Sequence, residues 1–179
     1  MKKTVGSWQL GGFVFAGALG TFLHFLFDLS GGNVLAGVVS AVNESIWEHM
    51  KLLFYPMVLF ARWEYGKIGK EYPCFWSVKA VGITLGLGLI PALYYTYTGA
   101  LGMSADWFNI TIFFIAAAVV YRSETALLRR GGLGRCNERA AAAWLVAIAV
   151  LFTALTFVPP RIPLFQDPVT GTYGILGRG

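Results

Sequence analysis

Charge is what this chain has least of. Only 13% of its 179 residues are charged, about half of the ~25% usual in a soluble domain. No polar block longer than a loop interrupts the apolar runs. An ordinary soluble domain is excluded on that count. Cysteine is almost as scarce. Cys74 and Cys136 stand far apart without CxxC spacing, which excludes a zinc knuckle or a dithiol redox motif and reads as two unpaired thiols. Strict apolar/polar alternation is missing too, so the apolar runs are not strands of a membrane barrel.

What is present is long hydrophobic runs. The chain is 56% hydrophobic with a mean hydropathy of +0.63. A hydrocarbon layer ~30 Å thick takes ~20 apolar residues as a helix, and the backbone's need for internal hydrogen bonds forces helices there. The reading is an all-α polytopic membrane protein, one domain of five spans at about 8–27, 44–62, 75–95, 107–123 and 140–158, with a tail at 159–179. The run after Met1-Lys2-Lys3 has the length of a full span rather than of a signal peptide's short core, and reads as a retained first helix. Tyr and Trp flank the spans, as expected where rings meet headgroups.

The net charge is +5 and the pI about 9.4, but the basic residues lie between apolar runs, which argues against nucleic acid and for topology and anionic lipid. Eleven of the fourteen basic residues fall on one side: Lys2, Lys3, Arg62, Lys67, Lys70, Lys79, Arg122, Arg129, Arg130, Arg135 and Arg139. Basic loops stay inside. This predicts a plasma-membrane protein with a cytoplasmic N-terminus and an extracytoplasmic C-terminus. Both histidines then fall at the outer side with Asp28, Glu44 and Glu48.

The densest polar stretch is Asn43-Glu44-Ser45-Ile46-Trp47-Glu48-His49-Met50-Lys51. Read as one helix, residues 34–61 would be ~42 Å long, so a break is expected: Gly31-Gly32-Asn33 turns the chain, residues 34–42 form a short re-entrant or interfacial helix, and a new helix starts near Asn43–Ser45. Broken helices at membrane depth line substrate or ion cavities. Ser45-x-x-Glu48 fits a capping box. Capping and pairing of Glu48 with Lys51 account for part of the stretch, but not for both histidines of the protein lying beside carboxylates.

Spacings of four residues place His24 with Asp28, Glu44 with Glu48, and Ser45 with His49 on shared helix faces. Imidazole and carboxylate are ligands for zinc and other first-row divalent metals. The expected site has His24, Asp28 and His49 as metal ligands and Glu44 and Glu48 as catalytic carboxylates, a metal-dependent hydrolase acting on a lipid-like substrate. The same groups would suit a proton- or cation-conducting transporter or channel subunit. A third reading is a structural membrane partner without catalysis. Gly82 and Gly86 give a GxxxG spacing for close helix packing, within the bundle or in a homo-oligomer. Asp167 before Pro168 reads as a turn initiator, and the apolar, turn-rich tail reads either as a lid over the outer mouth or as a loose interfacial segment.

Residues 23–28, residues 43–51 and the tail from Pro163 to Gly174 resemble a family of small prokaryotic multipass membrane proteins of unknown function, which implies the membrane fold but no activity. A second likeness, carried by His24-x-x-x-Asp28, is to the alkaline-ceramidase type of intramembrane metal hydrolase. It implies zinc-dependent hydrolysis. Those enzymes also carry an HxxxH element and seven spans, which this sequence lacks.

Overall fold

The computed structural model describes residues 2–175. It contains six α-helices: α1 (Lys2–Leu29), α2 (Val34–Val39), α3 (Ile46–Lys67), α4 (Phe75–Leu101), α5 (Asp106–Arg129) and α6 (Glu138–Phe157). Four of them are long and apolar enough to cross a membrane: residues 5–29 of α1, and α4, α5 and α6. The sequence predicts five spans, and α3 is the one outside this set. It carries Glu48, Lys51, Arg62, Glu64 and Lys67, which lower its apolarity.

The exposed and buried faces explain where those charges go. Leu10, Val14, Phe22 and Phe25 of α1 and Trp144, Val146 and Val150 of α6 are exposed. The polar groups Glu48, Lys51, Glu64, Lys79 and Glu124 are buried. A bundle in lipid is expected to be arranged in this way, with apolar side chains outward and ionisable ones turned toward other helices. α3 sits at its centre, packed against α1, α2, α4 and α6.

α3 runs antiparallel to α1 over the bundle's full thickness. Gln9 of α1 meets Glu64 of α3 at one end, and His24 meets His49 at the other. The stretch from Gln9 to His24 matches that from His49 to Glu64, about 22 Å of helical rise each. Between these ends, Met50, Leu53, Phe54 and Met57 join the apolar core with Ile83, Ala116, Val120 and Phe152.

The expected break before α3 is present, and α2 ends at Val39. Asn33 caps α2, its Oδ1 accepting from Leu35 N at 2.9 Å. Ser45 caps α3, its Oγ accepting from Glu48 N at 3.4 Å. Only this half of the capping box forms. Asn43 Oδ1 takes the Ser45 N–H at 2.9 Å, which frees the Glu48 carboxylate for the interior.

One expectation is corrected, and one spacing finds its use inside the bundle. The cysteines are not unpaired thiols: Cys74 and Cys136 form a disulfide between the α3–α4 and α5–α6 connections. Loops distant in sequence meet there because α6 packs along α4. Glu138 reinforces the junction from the first turn of α6. Its Oε2 accepts from Trp76 N at 2.8 Å and its Oε1 from Ser77 N at 3.1 Å, satisfying donors at the start of α4. The glycine pair, in turn, faces α5 of the same chain. A Cβ on Gly82 would lie 2.7 Å from Glu124, and one on Gly86 would lie 2.6 Å from Val120. The GxxxG spacing therefore serves the α4–α5 contact.

The tail folds back on the bundle. Phe165 stacks on Trp47 with ring centroids 4.7 Å apart, and Ile175 N donates to Thr156 O at 3.0 Å. Asp167 Oδ1 accepts from Val169 N and Thr170 N, the expected turn. Residues 176–179, the end of the predicted tail, lie outside the described residues.

Candidate functional site

At the end of the bundle where α1 finishes and α3 starts, three side chains converge. One ligand atom from each of His24, Glu44 and His49 lies within 4.8 Å of the others. Both imidazole Nε2 atoms approach the same Glu44 oxygen, at 3.7 Å from His24 and 3.4 Å from His49. The histidine rings are 5.2 Å apart. The group is half-buried, with Glu44 the most exposed member at 45%.

Local chain geometry builds this convergence. α3 begins at Ile46, so Glu44 lies ahead of its N-cap and does not share a helical face with Glu48. The two glutamates part company here. Glu44 turns toward the imidazoles, whereas Glu48 turns inward and pairs with Lys51 Nζ at 2.6 Å. Glu48 also accepts from Val42 N at 3.1 Å and from the Thr156 hydroxyl at 2.9 Å. Lys51 completes its shell by donating to Gly37 O at 2.8 Å and Thr156 Oγ1 at 2.9 Å. Every member of this second group is saturated, and the lysine is sealed from solvent. It locks α2, α3 and α6 together. Asp28, predicted to join the histidines as a ligand, lies outside the converging three, on the exposed surface of α1. The structure thus brings together His24, His49 and Glu44 and leaves Glu48 and Asp28 out.

The hydrogen bonding of His49 fixes its chemistry. Nδ1 lies 2.9 Å from the Ser45 carbonyl oxygen. A carbonyl can only accept, so Nδ1 carries the hydrogen. In the neutral ring, Nε2 then presents a lone pair to the Glu44 carboxylate, and two electron-rich atoms face each other at 3.4 Å. A cation between them, a metal ion or a second ring proton, turns that arrangement from repulsive to attractive. The separations favour the larger occupant. Charge-assisted N–H···O bonds are about 2.7–2.9 Å long, whereas ligand atoms at about 2.0–2.1 Å from a tetrahedral centre stand about 3.3 Å apart. A His whose other nitrogen donates to a backbone carbonyl is also the usual form of a metal-ligating imidazole. His24 Nδ1 is buried without a hydrogen-bond partner. In the proton-filled arrangement, hydrogen bonds from His24 and then from His49 hold the Glu44 carboxyl well below the usual carboxylate range.

A second polar layer lies at the opposite end of the bundle. Lys79 of α4 pairs at 2.6 Å with both Glu64 of α3 and Glu124 of α5. Gln9 Nε2 of α1 donates to Glu64 Oε1 at 2.6 Å. The sequence carries a signal for this group in Lys79, which sits in an apolar run inside the predicted span at 75–95, although it is counted above with the basic residues of one side.

The model of DUF6512, a family of unknown function, matches residues 1–175, and the chain belongs to that family. No curated protein and no solved structure matches it.

Proposed function

Membership of a family without an established function leaves the chemistry of the site as the guide, and from it we propose that this membrane protein binds a divalent first-row metal, zinc being the best match, through His24, Glu44 and His49. The observation that carries the reading is the His49 ring, held by Ser45 so that its free nitrogen faces a carboxylate at 3.4 Å. Three protein ligands leave a position open for water, whose pKa a divalent ion lowers toward neutrality. The role we assign is hydrolysis of a lipid-like substrate.

The chain's own residues support that role in three ways. His24 and His49 orient the site from two different helices, so it is held by the α1–α3 contact. Glu48 is committed to Lys51, so the carboxylate that the site itself offers is Glu44. Phe25 packs beside His24 at 4.9 Å and is 54% exposed on the lipid-facing surface, offering apolar surface to an amphiphile at the site's edge.

In this reading α3 is a fifth crossing helix, screened from lipid by its neighbours. The loop charges place the histidine end outside and the N-terminus in the cytoplasm. The disulfide pulls the other way, because it lies on the basic side and disulfides are rare in reducing compartments. Labelling single introduced cysteines at the two ends with a membrane-impermeant reagent decides the orientation.

Elemental analysis of purified protein loaded with zinc and then dialysed tests the metal site. About one zinc per chain is expected, lost in His24→Ala, His49→Ala and Glu44→Gln and retained in Asp28→Asn. Folded wild-type protein that retains no divalent metal would overturn the assignment. The second reading, proton or cation transport, draws on the same gap filled by a proton. Its signature is a pH-driven flux in liposomes that disappears in His49→Ala.

A further inference from the structure

We infer that the buried group at the basic end of the bundle, formed by Gln9, Glu64, Lys79 and Glu124, is a proton-binding site in which Glu124 holds the proton. It stands independently of the metal reading, with no residue in common and about 22 Å of helix between the two.

Charge balance is the first ground. Glu64 and Glu124 are 0% exposed and Lys79 is 1% exposed. Two carboxylates against one ammonium leave one uncompensated negative charge when all three are ionised. A sealed apolar medium disfavours such a charge strongly, and a buried acid escapes the penalty by keeping its proton. The outer buried pair, Glu48 with Lys51, balances one to one and carries no such demand.

The partners decide which carboxylate takes the proton. Glu64 has two contacts, a hydrogen bond from Gln9 Nε2 on Oε1 and an ion pair with Lys79 on Oε2, each at 2.6 Å, although Oε2 accepts no aligned hydrogen bond. Glu124 receives Lys79 on Oε2 at 2.6 Å, and its Oε1 is buried with no hydrogen-bond partner. That oxygen packs on the bare backbone of Gly82, where a Cβ would stand 2.7 Å away. Gln9 Oε1 and Tyr121 OH also lack hydrogen-bond partners. Both residues are buried in this group, Gln9 through its bond to Glu64 and Tyr121 through its ring, 5.8 Å beneath Lys79 Nζ. The site therefore pairs an oxygen that can carry a proton with neutral oxygens that can accept a hydrogen bond. The charged and titratable groups around Glu124 are Glu64 from α3, Lys79 from α4 and Tyr121 from α5 itself. Tyr72, in the α3–α4 connection, feels the charges of Glu71 and then Glu64. Among the described side chains, α1 contributes the neutral Gln9.

Infrared spectroscopy of the purified full-length protein, in H2O and D2O at neutral pH, tests the inference. The expected result is the carbonyl stretch of a protonated carboxyl group, shifted in D2O, displaced by carbon-13 glutamate labelling and lost in Glu124→Gln. That variant reproduces the neutral form in shape, so its thermal midpoint should match the wild type. Absence of the band from the wild type, failure of glutamate labelling to move it, or its survival in folded Glu124→Gln would each overturn the assignment. The labelling result stands on the wild type alone and needs no variant to fold.

Discussion

The two ends of this bundle hold similar side chains in opposite ways. At one end His24, Glu44 and His49 face one another across 3.4–3.7 Å and remain half-open to the surroundings. At the other, Glu64, Lys79 and Glu124 are drawn to 2.6 Å and sealed. Short contacts between buried opposite charges hold helices together and make their loss costly. Longer contacts between a carboxylate and imidazole lone pairs are poor stabilisers, and suit a site kept for a cation. The lesson is that polar groups in a membrane bundle divide by separation and exposure, and that residue type alone does not sort them.

The hardest blow to that contrast is Lys79→Met, which strands the buried Glu64 carboxylate without its cation. A loss of about 3–5 kcal/mol is expected, read as a lower denaturation midpoint in detergent. A loss below about 1 kcal/mol would mean that the sealed end is not a structural clamp. Next is the disulfide that ties the loops at the same end. In the chain-entropy picture, Cys74→Ser with Cys136→Ser costs about 2–4 kcal/mol, and reductant applied to the wild type should lower its melting temperature comparably. Ser45→Ala removes the α3 cap beneath the open end and should cost about 1 kcal/mol, measured by the same melts. The smallest effect on stability belongs to the open end itself. His24→Ala, His49→Ala and Glu44→Gln should each shift unfolding by no more than about 0.5–1 kcal/mol while abolishing zinc retention. Large destabilisation by these three would erase the difference between the ends.

Much of this was legible in the chain. The helices follow from run length, the break before α3 from Gly31-Gly32-Asn33, and its start from Ser45. Both histidines and Glu44 were expected in one site. The assignment of roles was less secure. Glu44 and Glu48 have helical spacing, but the helix begins between them, so one serves the open site and the other a buried pair. Asp28 shares a spacing with His24 without joining the three. The sealed group is not legible in the spacings: Lys79 counts with the basic residues of one side, and Glu64 and Glu124 lie just past the predicted spans that end at 62 and 123. α3 and α5 extend past those ends and carry the two glutamates inside the bundle, where α4 holds Lys79.

The sequence by itself determined that the chain is helical, apolar outside and broken once before α3, because backbone hydrogen bonding and turn residues act over a few neighbours. Only the tertiary structure decided which charges meet. Gln9 and Glu64, Cys74 and Cys136, and Glu48 and Thr156 are far apart along the chain. Their pairing follows from how α1, α4, α5 and α6 pack around or alongside α3. That packing depends on the summed fit of many side chains, which no local spacing encodes.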